Sequence, residues 1–312
     1  MRIDIHAHYF PSEYLDLLQH LGSTAAGEAR MMQAGAAPRE LDARFELMDG
    51  TGIDVQVLSV SPQQPYVDRE ADAVAAARLG NDLVADLVHA HPRRFKAFGA
   101  VPLPHVDAAV MEINRCLDDL DMVGITVNSS ILGKSLADRA FEPLFAELNR
   151  RRTVLFVHPA GAGIGELTTM FGLTWVVGAP FEDTIAALHL IRSGLTTRFP
   201  HIRILVGHLG GTLPFLMQRI DALSRPSDAV PQRPSELARR LWYDTVSHGH
   251  LPALRCACET FGPTRLILGT DYPYVRGEAF RRAVTHVEQA DLPPPDIHAI
   301  LDQNAVDLPG RD

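Results

Sequence analysis

Eight short runs rich in β-branched and apolar residues recur along the chain, each followed by a longer stretch with helical spacing. That alternation constrains the fold more than any other feature. The runs predict strands at 2–8, 54–59, 95–101, 124–128, 154–158, 202–208, 241–244 and 266–271. Between them, READAVAAARLGNDLVADLVHAHP, VDAAVMEINRCLDDL, RAFEPLFAELNRRR, DTIAALHLIRSGLTTRFP and LPALRCACETFG carry apolar residues at i, i+3 and i+4, and several end in Gly or Pro. Eight such units in 312 residues predict one α/β domain over 1–312, a (β/α)8 TIM barrel, with a doubly wound open sheet as the competing arrangement. The stretch at about 20–43, which includes HLGSTAAGEARMMQAGAAPRE, is poor in large apolar residues. It reads as a small insertion after the first strand, a lid or arm over the active face.

Charge narrows the partners. A net charge of −9, with no run of Lys or Arg, argues against nucleic acid and against an anionic membrane surface. Cys116, Cys256 and Cys258 are too few for a disulfide framework, and the CxC pair lacks the second half of a zinc cage, so all three read as reduced core residues. The start has no positively charged segment leading into an apolar run, and no stretch nears the ~18 apolar residues of a membrane span. A cytoplasmic location is the expectation.

In a (β/α)8 enzyme the chemistry gathers where strands run out at their C-terminal ends. Here those ends carry His6 and His8, Asn128, His158, His208, Asp244 and Asp271. Strand alternation would point Asp4, His6 and His8 one way and Ile3, Ile5 and Ala7 the other. Singly, each polar group has a plain explanation: a satisfied core pair for HxH, a backbone-bonded strand end for His158 or His208. Together, His6, His8, His158 and Asp271 would converge at one side of the barrel mouth. Three imidazoles and a carboxylate suit a borderline divalent ion, Zn²⁺ first, with a position left for water or substrate. His208 would face that ion as a proton carrier, followed by a Gly pair that leaves the backbone room to approach a ligand. A second HxH, His248 and His250, lies in SHGHLPAL and reads as solvated or helix-capping, with His248 able to border the pocket.

In order and spacing, IDIHAHYF, FVHPAG, GHLGGTLPF and LGTDYPY resemble the amidohydrolase-related superfamily, specifically its aminocarboxymuconate-semialdehyde decarboxylase-like branch of metal-dependent decarboxylases. The likeness runs from Arg2 to Asn304. It implies zinc, or another divalent ion such as manganese, held by His6, His8, His158 and Asp271, with His208 as catalytic acid/base. It also implies two arginines that grip the substrate carboxylate. One is Arg44, ahead of FELMDGTGIDVQVLS; the other is Arg219 in PFLMQRID, reaching the site of a neighbouring subunit in a homodimer. Two regions depart from the pattern: the segment between His8 and Arg44 lacks the family's small inserted sheet, and YPYVRGEAF after Asp271 matches only in part. The intact HxH points away from a subgroup with glutamate at the first His position.

These readings converge on metal-dependent, non-oxidative decarboxylation of a small unsaturated or aromatic carboxylic acid. Asn128 and Trp175 are candidate pocket walls, each equally readable as core. A metal-dependent hydrolase or hydratase, with Asp271 as base acting on a lactone, amide or double bond, uses the same ligand set. A barrel that keeps its metal only for structure or binding is a third reading, which an intact His208 argues against.

Overall fold

The computed structural model describes residues 1–308 apart from 226, 228 and 229. Strands β1 (Ile3–His8), β2 (Val55–Ser59), β3 (Phe95–Ala100), β4 (Gly124–Asn128), β5 (Val154–His158), β6 (Arg203–Val206), β7 (Trp242–Asp244) and β8 (Leu266–Ile267) pair in that order, all parallel. The chain just beyond β8 closes the ring onto β1. Ile5 donates its N–H to the Leu268 carbonyl at 2.9 Å, Asp271 to that of His6 at 2.8 Å, and His8 to that of Tyr272 at 2.7 Å. The expected (β/α)8 barrel is therefore the fold, and the open sheet is not.

Helices of seven or more residues are α1 (Ser12–His20), α2 (Ala25–Met31), α3 (Pro38–Asp49), α4 (Glu70–Ala90), α5 (Val106–Asp118), α6 (Glu142–Arg150), α7 (Ala179–Arg192), α8 (Leu213–Leu223), α9 (Leu251–Phe261) and α10 (Gly277–Glu288). In α4 the small buried residues Ala73, Ala76, Ala77 and Gly80 recur at helical spacing, and Glu70 and Asp72 sit in the first turn, where the helix dipole favours acids. Inside the barrel Ile3, Ile5, Val55, Val57, Phe98, Phe156, Leu205 and Ile267 pack together with Ala305 and Leu308. A larger cluster fills the layer between sheet and helices.

Two expectations from the sequence are revised, and a third segment gains its structure. First, β1 does not alternate cleanly, because its pairing with β2 shifts register between Asp4 and Ala7. Ile3 and Ile5 lie in the inner cluster, Ala7 in the outer one, and Asp4 bonds outward to Gln56, which in turn meets Arg44 of α3. A bulge of this kind re-aims side chains; here it turns His6 inward beside Ile5, so that only His6 and His8 of the three polar residues face the barrel interior. Second, β6 and β8 end early, and His208 and Asp271 stand on the loops beyond them with φ of 52° and 63°. A left-handed residue turns the chain out of the ladder. Third, the stretch at about 20–43 folds as α2 and the start of α3, with Ala26, Ala29 and Ala34 buried and the Ala34 carbonyl accepting from Phe10 N–H at 2.9 Å. It packs against α1.

The seam between β1 and β8 rests on Asp4. Its carboxylate accepts from Thr270 N–H (2.9 Å), Thr270 Oγ1 (2.6 Å), Gln56 Nε2 (2.8 Å) and His6 N–H (3.2 Å). Burial pushes its pKa up to about 6, against the pull of those hydrogen bonds. Among the described residues, no helix is long and apolar enough to cross a membrane. Replacing Asp4 with Ala strands four buried donors, so thermal or urea unfolding should show a loss of about 3 kcal/mol; a change under about 0.5 kcal/mol, ordinary for a surface site, would mean that the seam does not depend on it.

Candidate metal centre

Phe156 floors the site, with its ring centroid 4.9 Å from that of His6. Above it, one ligand atom each from His6, His158, His208 and Asp271 lies within 4.8 Å of the others. His8 joins them: its Nε2 is 3.1 Å from His6 Nε2 and 3.1 Å from Asp271 Oδ1, while His6 Nε2 is 3.3 Å from the same oxygen. The barrel thus brings together all four expected ligands and the expected proton carrier.

The far nitrogen of every imidazole is tied down. His6 donates Nδ1–H to Asp244 Oδ2 at 2.7 Å, His158 to the Pro159 carbonyl at 2.9 Å and His208 to Asp183 Oδ2 at 2.9 Å, while His8 Nδ1 shares a hydrogen with Ser59 Oγ at 3.1 Å. Such contacts fix the tautomer and turn each Nε2 toward the shared centre. His158 Nε2 is buried and has no hydrogen-bond partner among the described residues. An orphaned acceptor costs roughly 1–3 kcal/mol, and a cation at the centre would satisfy it. The donor set, several imidazole nitrogens and one carboxylate oxygen, fits a divalent ion.

Electrostatics divide the four imidazoles into two pairs. Burial pushes the pKa of His8 down to about 4, and with the neighbouring imidazoles holds His158 well below the usual range, so both present lone pairs. For His6, burial is outweighed by Asp244 and then Asp271, which lift it to about 9. For His208, burial is outweighed by Asp183 and then Asp271, and the ring is held well above its usual range. Asp271 is held well below the usual carboxylate range despite burial, chiefly by hydrogen bonds from His208 and His6.

A cavity of about 840 Å³ opens over the centre, lined by His158, His208 and Asp271 on one side and by Trp175, Tyr274, Phe215 and the α9 face on the other. Its wall is largely apolar. Among the described residues neither lysine nor arginine lines it. Trp175 is where the sequence placed it, with its ring 6.1 Å from Tyr274. Asn128 and Arg44 do not line the cavity. Asn128 is buried, donating Nδ2–H to the Pro62 carbonyl at 2.9 Å. Arg44 is also buried; it donates to the His8 carbonyl at 2.5 Å and to Gln56 Oε1 at 3.2 Å, and its guanidinium lies 4.3 Å from the Tyr272 ring centroid. Arg219 is exposed on α8, away from the cavity.

Some roles were not legible in the sequence. Asp244, visible only as a strand end, holds His6 and also accepts the His208 N–H at 2.9 Å through Oδ1. Asp183 lies on α7, where nothing but an acid at a position that should be buried signals it. His248 and His250 both line the cavity, and His250 occupies the N-cap of α9 without a side-chain capping bond. Cys256, read as core, is half-buried and faces the same cavity. The room beside the Gly pair after His208 is used by protein rather than left for a ligand. A Cβ on Gly210 would come within 2.8 Å of the Tyr243 ring, and one on Gly211 within 1.8 Å of the Pro180 carbonyl.

Residues 3–310 match the amidohydrolase family. The chain belongs to the amidohydrolase family. Similar proteins include 2-amino-3-carboxymuconate-6-semialdehyde decarboxylase of Dictyostelium discoideum, 29% identical, with 89% of this chain and 83% of the relative covered. Gamma-resorcylate decarboxylase of Rhizobium radiobacter is 30% identical over 75% of this chain and 76% of its own. Among solved structures, 5-carboxyvanillate decarboxylase of Sphingomonas paucimobilis superposes with a TM-score of 0.85 at 26% identity, covering 98% of each chain. All are named decarboxylases, which favours a carboxy-lyase over the hydrolase alternative for this amidohydrolase.

If Asp244 orients His6 for the ion, Asp244→Asn should weaken metal binding roughly 10–100-fold in chelator competition. Unchanged affinity would show that His6 needs no such support.

Proposed function

We propose that this amidohydrolase is a zinc-dependent, non-oxidative decarboxylase of a small aromatic or unsaturated carboxylic acid, acting as a homodimer. The carrying observation is the doubly anchored His208 at the edge of a largely apolar cavity, with its Nε2 3.8 Å from Asp271 Oδ2. When bound, the cation supplies a Lewis acid and a template for substrate oxygens. His6, His8, His158 and Asp271 would hold it. The apolar wall around Trp175 and Tyr274 receives the planar carbon skeleton and keeps water from the reacting carbon. Breaking the bond to the carboxylate leaves its electron pair on that carbon. His208 delivers a proton there from Nε2 and CO₂ departs, so the step balances without an oxidant. Zinc is favoured because imidazole nitrogens dominate the donor set; manganese is the alternative that metal analysis of the isolated protein separates. Three free cysteines accord with a reducing, cytoplasmic compartment.

The dimer supplies what the cavity lacks. Phe215, Arg219 and Leu223 fall at i, i+4 and i+8 on one exposed face of α8, with Phe215 83% and Leu223 70% exposed. Phe215 also stands on the cavity rim. A second copy packed on this face would cover the apolar stripe and could bring its Arg219 to a cavity that has no cationic side chain of its own to meet a carboxylate.

A screen of aromatic and unsaturated acids should yield CO₂, and His208→Ala should keep its metal while losing roughly 10²–10⁴-fold in turnover. Solvent oxygen entering the product without CO₂ would contradict the decarboxylase reading, and metal loss in the variant would make His208 a ligand. Mixing inactive Arg219→Ala with inactive His208→Ala protein should restore activity in hybrid dimers. No recovery, once hybrids are demonstrated, would remove Arg219 from the site.

A further inference from the structure

We infer that Asp183 is the positioning residue that makes His208 a proton carrier, an assignment that rests on the acid/base role proposed above for His208. The geometry points to it from three directions. The Asp183 carboxylate is fully buried on α7, and Oδ2 accepts Nδ1–H of His208 at 2.9 Å. Its other oxygen, Oδ1, is buried and has no hydrogen-bond partner among the described residues, so this carboxylate is not there to complete a structural network. A buried carboxylate with half its capacity unused is costly to keep, and among the described residues its side-chain hydrogen bond is with the ring that must move the proton.

His208 needs such a partner more than the other imidazoles do. Its backbone is left-handed, with φ 52°, as are the three residues that follow it. No strand ladder fixes its direction. The His208 N–H is held by Asp244 Oδ1 at 2.9 Å, which anchors the backbone but leaves the ring free to rotate about its side-chain bonds. Asp183 removes that freedom. With Nδ1–H committed to Asp183, Nε2 is the nitrogen that faces Asp271 Oδ2, 3.8 Å away, and the cavity. Loss of the carboxylate would let the ring turn, so that Nε2 no longer faces the substrate.

The neighbouring residue shows why α7 can do this. Glu182 accepts from Ser129 Oγ, Ala160 N–H and Gly163 N–H, all at 2.7 Å, and so ties the first turn of α7 to the loop that leaves β5 just after His158. Consecutive acids on one turn therefore serve different strands: Glu182 holds the loop beyond one ligand, and Asp183 aims the proton carrier.

The test is a mutant cycle. Asp183→Asn, nearly isosteric, should lower kcat roughly 10–100-fold with KM, metal content and thermal midpoint near wild type. In a His208→Ala background it should change turnover by less than about twofold, because residues that act as one unit are not additive. In protein labelled with ¹⁵N-histidine, the hydrogen-bonded Nδ1–H resonance of His208, identified by its absence in His208→Ala, should vanish or move upfield in Asp183→Asn. Should that variant fold poorly, Asp183→Ser removes the carboxylate with less bulk and carries the same expectations. Wild-type kcat in the variant, a further loss in the His208→Ala background, or an unmoved resonance would each overturn the assignment. A wild-type protein that releases no CO₂ overturns the decarboxylase reading beneath it, and the resonance then decides the placement of Asp183 by itself.

Discussion

Crowding several imidazole nitrogens and a carboxylate into one buried space is the constraint on which the rest of this structure depends. Their Nδ1 atoms are committed to Asp244, Ser59, the Pro159 carbonyl and Asp183, so the Nε2 atoms can only face one another. Left to hydrogen bonds, such a set cannot be satisfied: His158 Nε2 has no partner among the described residues. A divalent ion resolves the conflict, and the geometry around it follows. The bulge in β1 places both of its histidines on the inner side, and the left-handed turns at His208 and Asp271 bring in residues from beyond the last paired positions of β6 and β8.

The supports lie outside the barrel wall as much as inside it. Arg44 grips the carbonyl of His8 from α3 and stacks on Tyr272, so a residue that family resemblance assigns to substrate binding sits where it stiffens the ligand-bearing end of β1. Asp4, Gln56 and Thr270 continue that buried polar layer across the β1–β8 seam. Closure of the barrel and assembly of the site are thus one problem, because the same backbone that pairs His6 with Asp271 also carries their ligand atoms.

Much of this was legible in the sequence, and the reasons differ by residue. The strand count survives because a parallel sheet buried on both faces writes itself as apolar runs such as VLFVH and RILV. His6, His8, His158, His208 and Asp271 could be placed together because strand ends in a barrel share one face. The inward turn of His6 beside Ile5 was not legible, since a bulge depends on how two strands pair rather than on either sequence. Asp183 and Asp244 were hidden for a related reason: each acts on a residue distant in the chain, and only the closed barrel sets their oxygens within 3 Å of it. The helical character of α2 escaped because its buried face is made of alanines, which carry little apolar signal.

X-ray absorption spectroscopy of the metal-loaded protein tests the central claim most directly. The account predicts about one tightly bound divalent ion per chain, with imidazole scattering and nitrogen or oxygen donors at roughly 2.0–2.2 Å. An ion coordinated only by oxygen, or a protein that retains none, would contradict it.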